Sequence, residues 1–151
     1  MNLDQYSPIE RKVLGKYFSD DEPSVSKHDL SPVDTSLICP SADREMAEVV
    51  LAIRTDIHER FEFLEELPRV PLMLHVQEHN GRPHPTMRFA ARCVNAACSH
   101  WSISSCRLGW SVSSVSIAVD RSEDSCPIRE KCRWFVENGI SACQVCPWLG
   151  I

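Results

Sequence analysis

Long apolar runs are missing from this chain. Its uninterrupted hydrophobic stretches extend only a few residues, far short of the roughly twenty that a membrane-crossing helix needs, so no transmembrane segment is expected. The stretch from Met1 to Ile9 has neither a basic n-region nor an apolar h-region, which argues against a secretory signal. Glycine is scarce, five residues in 151, too few to build several phosphate cradles. There is no P-loop, dinucleotide fingerprint, nucleophile elbow or internal repeat. Nucleotide-binding and hydrolase chemistry therefore finds no support, and no catalytic motif stands out.

Against those absences, eight cysteines are the compositional outlier. Hydrophobic residues at 43% and charged residues at 25% sit in the globular range, and the length suits one ordinary domain with an appendage. Oxidising compartments lock thiols into disulfides and the cytosol keeps them reduced. Without a signal peptide, the thiols read as cytoplasmic and available to metal. The net charge of −5 is unevenly spread: residues 1–81 hold 8 basic and 16 acidic side chains, whereas residues 82–134 hold 8 basic and 4 acidic. That modest basic excess is weak support for nucleic acid and reads more simply as solvated arginines around an anionic thiolate site.

Ser7-Pro8-Ile9-Glu10 is a capping box with proline at the first helical position, which predicts a helix to about Phe18. Ile9, Val13, Leu14, Tyr17 and Phe18 share one face of it. Residues 19–40 read as a linker. From Ser41 to Pro68 the residues Met46, Val50, Ile53, Ile57, Phe61 and Leu64 recur at helical steps, predicting one long amphipathic helix. Its acids, including Glu59, Glu62, Glu65 and Glu66, would form a solvated face and a docking surface for a protein partner. Leu72 to Val76 and Thr86 to Arg92, flanking Asn80-Gly81, predict a β-hairpin. Trp110 to Val119, where apolar residues alternate with serines, predicts a further strand. Pro127 to Asn138 predicts a helix capped by Gly139. The expected fold is α+β: a helical part and hairpin over 41–92 after the N-terminal helix (1–18) and linker, then a cysteine-rich lobe over 93–151.

Cys126, Cys132, Cys143 and Cys146 are spaced C-x5-C-x10-C-x2-C. Four thiols within that span suit tetrahedral zinc or the corners of a cubane cluster. Structural zinc sites usually use two short knuckles, and only Cys143 and Cys146 form one. The Cys-Pro steps at 126 and 146 also favour a cluster, of 4Fe–4S type, and Trp134, Phe135 and Trp148 are placed to keep water from it. Zinc remains the alternative. Cys126 is expected at the helix cap, where free N–H groups stabilise a thiolate.

The segment Cys126-Pro127-Ile128-Arg129-Glu130-Lys131-Cys132 with Arg133-Trp134-Phe135-Val136 resembles the cluster-binding helix of the WhiB-like iron–sulfur regulators. The resemblance implies cluster ligation by Cys126 and Cys132. It is confined to this segment, because Glu123 stands where that family has a further cysteine and its Gly-Val-Trp-Gly-Gly turn is absent.

Upstream, Cys93, Cys98, His100 and Cys106 give C-x4-C-x-H-x5-C, a candidate second metal site of the Cys3His kind or a second cluster. Cys39, alone before Pro40, reads as a buried core thiol. His75-Val76-Gln77-Glu78-His79 matches the H-x2-E-H pattern of an inverted zinc-protease motif, but the stretch reads as a strand, and solvated or packing histidines are the better account. His84, between two prolines, reads as surface. The functional expectation is a non-enzymatic iron–sulfur protein of electron transfer or redox sensing. The alternative is a zinc-stabilised adaptor or a nucleic-acid module using Arg129, Lys131 and Arg133.

Overall fold

Helix α1 spans Pro8–Tyr17, and its cap forms as the sequence requires. The Glu10 N–H donates to the Ser7 hydroxyl at 3.3 Å while the Ser7 N–H donates to the Glu10 carboxylate at 2.7 Å. The computed structural model describes residues 5–20, 36–54, 56, 59–67, 69, 87–117 and 126–150.

Strands β1 (Ile38–Cys39), β2 (Val49–Ile53), β3 (Glu62–Phe63) and β4 (Met87–Arg92) form an antiparallel sheet in the order β1-β4-β2-β3. This corrects the expected long helix over 41–68. Of the residues read as one helical stripe, Met46 ends a 3-10 turn at Arg44–Met46, Val50 and Ile53 belong to strand β2, Phe61 and Leu64 flank strand β3, and Ile57 lies outside the described residues. In β2, Val50, Leu51 and Ala52 are consecutive and all buried. A strand covered on both faces shows a continuous apolar run with no alternation, so an apparent helical period arises wherever such runs are spaced by chance. Leu51 is also the extra residue where the β2–β4 register shifts between Val50 and Ala52. Glu59, Glu62, Glu65 and Glu66 are exposed as expected, but on the edge around β3 and not on a helix. Of the expected hairpin, Met87–Arg92 forms β4; Leu72–Val76 and the Asn80-Gly81 turn lie outside the described residues, as do His75, His79 and His84.

After β4, a 3-10 turn at Asn95–Ala97 leads into the hairpin β5 (Trp101–Ser102) and β6 (Ser105–Cys106), then helix α2 (Arg107–Ser113). The expected strand from Trp110 is therefore a helix through Ser113. Leu108, Val112 and Val115 fall on its buried face at four- and three-residue steps. The serines that suggested alternation bond inside the helix. Ser111 Oγ donates to the Arg107 carbonyl at 2.9 Å, and Ser113 and Ser114 Oγ both donate to the Trp110 carbonyl at 2.8 Å.

At the C-terminal end, a 3-10 turn at Arg129–Lys131 precedes α3 (Arg133–Asn138). Gly139, at φ 70° and ψ −157°, caps it and opens α4 (Ile140–Val145). That backbone conformation belongs almost solely to glycine. One apolar core runs from Val13 of α1 through Leu51 and Ala90 of the sheet to Trp134, Val145 and Leu149. The architecture is α+β, mixed helices on a small antiparallel sheet. Among the described residues, no helix is long and apolar enough to cross a membrane.

Candidate metal centre

All eight cysteines are free thiols, and they fall into two sets of four. In the first, Cys132 is the N-cap of α3, six residues after Cys126, which starts the preceding turn by accepting the Arg129 N–H at 3.2 Å on its carbonyl. This corrects the expected cap: Cys132 occupies it, not Cys126. Cys143 lies on α4 and Cys146 at its C-terminal cap, three residues apart and hence on one helical face. Gly139 folds α4 back against α3, which brings the segment carrying Cys143 and Cys146 toward the Cys132 end of α3. Burial pushes the Cys132 thiol up to about 12, with the Cys146 and Cys126 thiolates adding to the rise. Burial likewise raises Cys143 to about 11, again reinforced by Cys146 and Cys126, and it raises Cys126, which also feels Cys146. Cys126 and Cys146 are thus within electrostatic reach of each other and of both Cys132 and Cys143.

Groups that favour thiolates are already in place. The Ile128 N–H is directed at the Cys126 sulfur. Those of Phe135 and Trp134 are directed at Cys132 without closing a formal cap bond. Arg129 donates to Cys143 and lies near Cys126. Arg88 is more unusual. It is 3% exposed, donates from Nε to the Pro40 carbonyl at 2.8 Å and from one terminal nitrogen to the Cys146 carbonyl, and packs over the Trp134 ring at 5.4 Å. Its other terminal nitrogen is buried without a hydrogen-bond partner among the described residues.

In the second set, Cys93 and Cys98 flank the Asn95–Ala97 turn, and the His100 N–H donates to the Cys98 sulfur at 3.4 Å. Cys106 caps α2, with its sulfur accepting from the Gly109 N–H at 3.4 Å. The fourth thiol nearby is Cys39. Burial raises it to about 12, and the Cys106, Cys93 and Cys98 thiolates push it further up, opposed by the Ser41 N–H directed at its sulfur. His100 shares this region, with its Nδ1 hydrogen-bonded to the Tyr17 hydroxyl at 2.9 Å. Burial also raises Cys106 to about 11.

Among the described residues, no three His, Cys, Asp or Glu side chains are already drawn to coordination distance of one point. Each set is gathered without being closed. The donor chemistry, thiols only with N–H groups turned onto sulfur, fits a thiophilic metal or cluster. Two features of these sites do not follow from cysteine spacing. Cys39-Pro40-Ser41 repeats the Cys126-Pro127-Ile128 arrangement, in which proline has no N–H and the next residue's N–H faces the sulfur. Arg88 is an isolated arginine whose burial only packing reveals. Comparison with protein-family models, curated proteins and solved structures finds no match for this chain.

Proposed function

We propose that Cys126, Cys132, Cys143 and Cys146 bind an iron–sulfur cluster of 4Fe–4S type. The protein then serves a partner in a reducing compartment such as the cytoplasm, by carrying one electron or by reporting redox state through cluster assembly and loss. The observation that carries this reading is Arg88. A buried guanidinium is costly unless an anion compensates it, and no carboxylate pairs with Arg88 among the described residues. Arg54, itself paired with Glu10 at 3.7 Å, lies close enough for the two guanidinium charges to interact. An anionic thiolate-bound cluster beside Cys126 and Cys146 supplies the missing charge. Cys132 and Cys146, both buried, would hold it on the side away from water, and solvent exclusion with N–H···S contacts tunes a cluster's potential. The exposed acids Glu59, Glu62, Glu65 and Glu66 along the β3 edge provide a docking surface for a protein partner.

The zinc-folded nucleic-acid module loses one of its expected cations. Arg133 is buried, with one terminal nitrogen 3.2 Å from Glu137, the other on the Asn95 side-chain oxygen, and its guanidinium 5.1 Å above the Trp101 ring.

Anaerobic purification tests the cluster. The expected result is a brown protein with iron and acid-labile sulfide that bleaches in air, and Cys126→Ser, Cys132→Ser, Cys143→Ser or Cys146→Ser each abolishes the colour. A colourless protein with zinc and no sulfide overturns it.

A further inference from the structure

The second thiol set is completed by strand pairing. In the β1–β4 ladder Ile38 faces Arg92 and Cys39 faces Ala91, and the Cys93 N–H extends that register by donating to the Leu37 carbonyl at 2.9 Å. Cys93 is therefore opposite Leu37. Residues two apart on a strand share a face, so Cys39 and Cys93 are diagonal neighbours on one face of the strand pair, with Cβ atoms roughly 7 Å apart or less. That separation is within reach of two thiolates on one ion at Zn–S distances of about 2.3 Å.

The remaining two thiols arrive by local turns. Asn95 takes a positive φ of 51° and starts the 3-10 turn that brings the chain back at Cys98. The Trp101 N–H then donates to the Cys98 carbonyl at 3.1 Å, and Trp101 faces Cys106 across the β5–β6 hairpin. Cys98 and Cys106 are thereby held on either side of Trp101. Helix α3 braces this arrangement from outside: Glu137 accepts the Cys106 N–H at 3.0 Å, and Arg133 binds the Asn95 side chain. An independent sign comes from Trp134. Its indole N–H is buried in a side chain 1% exposed, has no ordinary hydrogen-bond partner among the described residues, and faces the Cys106 sulfur. A donor of that kind becomes satisfied when the sulfur is a metal-bound thiolate.

We propose that Cys39, Cys93, Cys98 and Cys106 form a four-thiolate site for a single zinc ion, with Cys39 in the place that spacing assigned to His100. Cys39 completes a set of four thiols, and His100 is assigned to the surroundings of the site, its Nδ1 on the Tyr17 hydroxyl at 2.9 Å and its ring edge-on to the Tyr17 ring at 5.4 Å. The zinc joins β1 to the β5–β6 hairpin and to the start of α2, and so ties the sheet to the helical end. On the other side of the same strand, Ile38 forms a parallel bridge with Cys132, so β1 separates the zinc site from the cluster site.

The test is zinc and iron content of the anaerobically purified full chain, in the unmodified protein and in Cys39→Ser, His100→Gln and Cys143→Ser. The unmodified chain is expected to hold about one zinc, and Cys39→Ser to fall at least tenfold in zinc occupancy after dialysis, as loss of one of four ligands implies. His100→Gln retains the zinc. Cys143→Ser also retains it when the C-terminal set binds a cluster; if that set holds zinc instead, the unmodified chain carries about two zinc ions and Cys39→Ser and Cys143→Ser each lose one, so failure of the cluster reading stays distinguishable from failure of this site. Zinc undiminished in Cys39→Ser, zinc lost in His100→Gln, or iron and sulfide lost with Cys39 each overturns the proposal. Should Cys39→Ser fail to fold, cadmium NMR of the cadmium-loaded unmodified chain distinguishes four-sulfur from three-sulfur-one-nitrogen coordination. A three-sulfur signal overturns the assignment of Cys39.

Discussion

Arg88 reaches the segments that carry Cys39 and Cys146. Its guanidinium binds the carbonyl that follows Cys39 and the carbonyl of Cys146, and it lies over the Trp134 and Phe61 rings. A fixed positive charge beside a cluster stabilises the reduced, more negative state. Arg88→Met is therefore expected to lower the reduction potential of the proposed cluster by on the order of tens of millivolts, measured by anaerobic redox titration. In the metal-free chain the same change relieves an uncompensated buried charge, so stability to denaturant should hold or rise. A fall in metal-free stability together with an unchanged potential would count against the role given to Arg88.

Among the elements, α3 touches both thiol sets. Its cap is Cys132, while its side chains Arg133, Trp134 and Glu137 contact Asn95, Trp101 and Cys106. The orientation of α4, which carries Cys143 and Cys146, depends on the Gly139 turn. Gly139→Ala puts a side chain at φ 70°, where the strain costs about 1–3 kcal/mol. The open space around that position means that strain, not a clash, would be the cause. The midpoint of denaturant unfolding should fall accordingly, with weaker metal retention because the two cysteine pairs are no longer held in register.

At the level of the whole molecule, α1 is tied to both the sheet and the C-terminal end. Glu10, 3% exposed, caps its own helix, pairs with Arg54 just beyond β2 at 3.7 Å and accepts the Gly150 N–H at 2.5 Å. Glu10→Gln removes the carboxylate that acts most strongly on buried Arg54, Asp56 acting less, and a loss of up to roughly 3 kcal/mol is expected. Unfolding should remain a single transition by both fluorescence and circular dichroism. Two transitions would mean that α1 is only an appendage. The capping box of α1, the strand at Met87–Arg92 and the Gly139 cap were legible from residue type and spacing, because caps and turns act over a few neighbouring residues. The strands within 41–68, the helix at Arg107–Ser113, the burial of Arg88 and Arg133 and the placement of Cys39 beside Cys93 were not. Each depends on what packs against it: a run buried on both faces loses its period, serines bond within a helix as readily as they face solvent, and a thiol fifty-four positions from its neighbour reaches it only through the β1–β4 register.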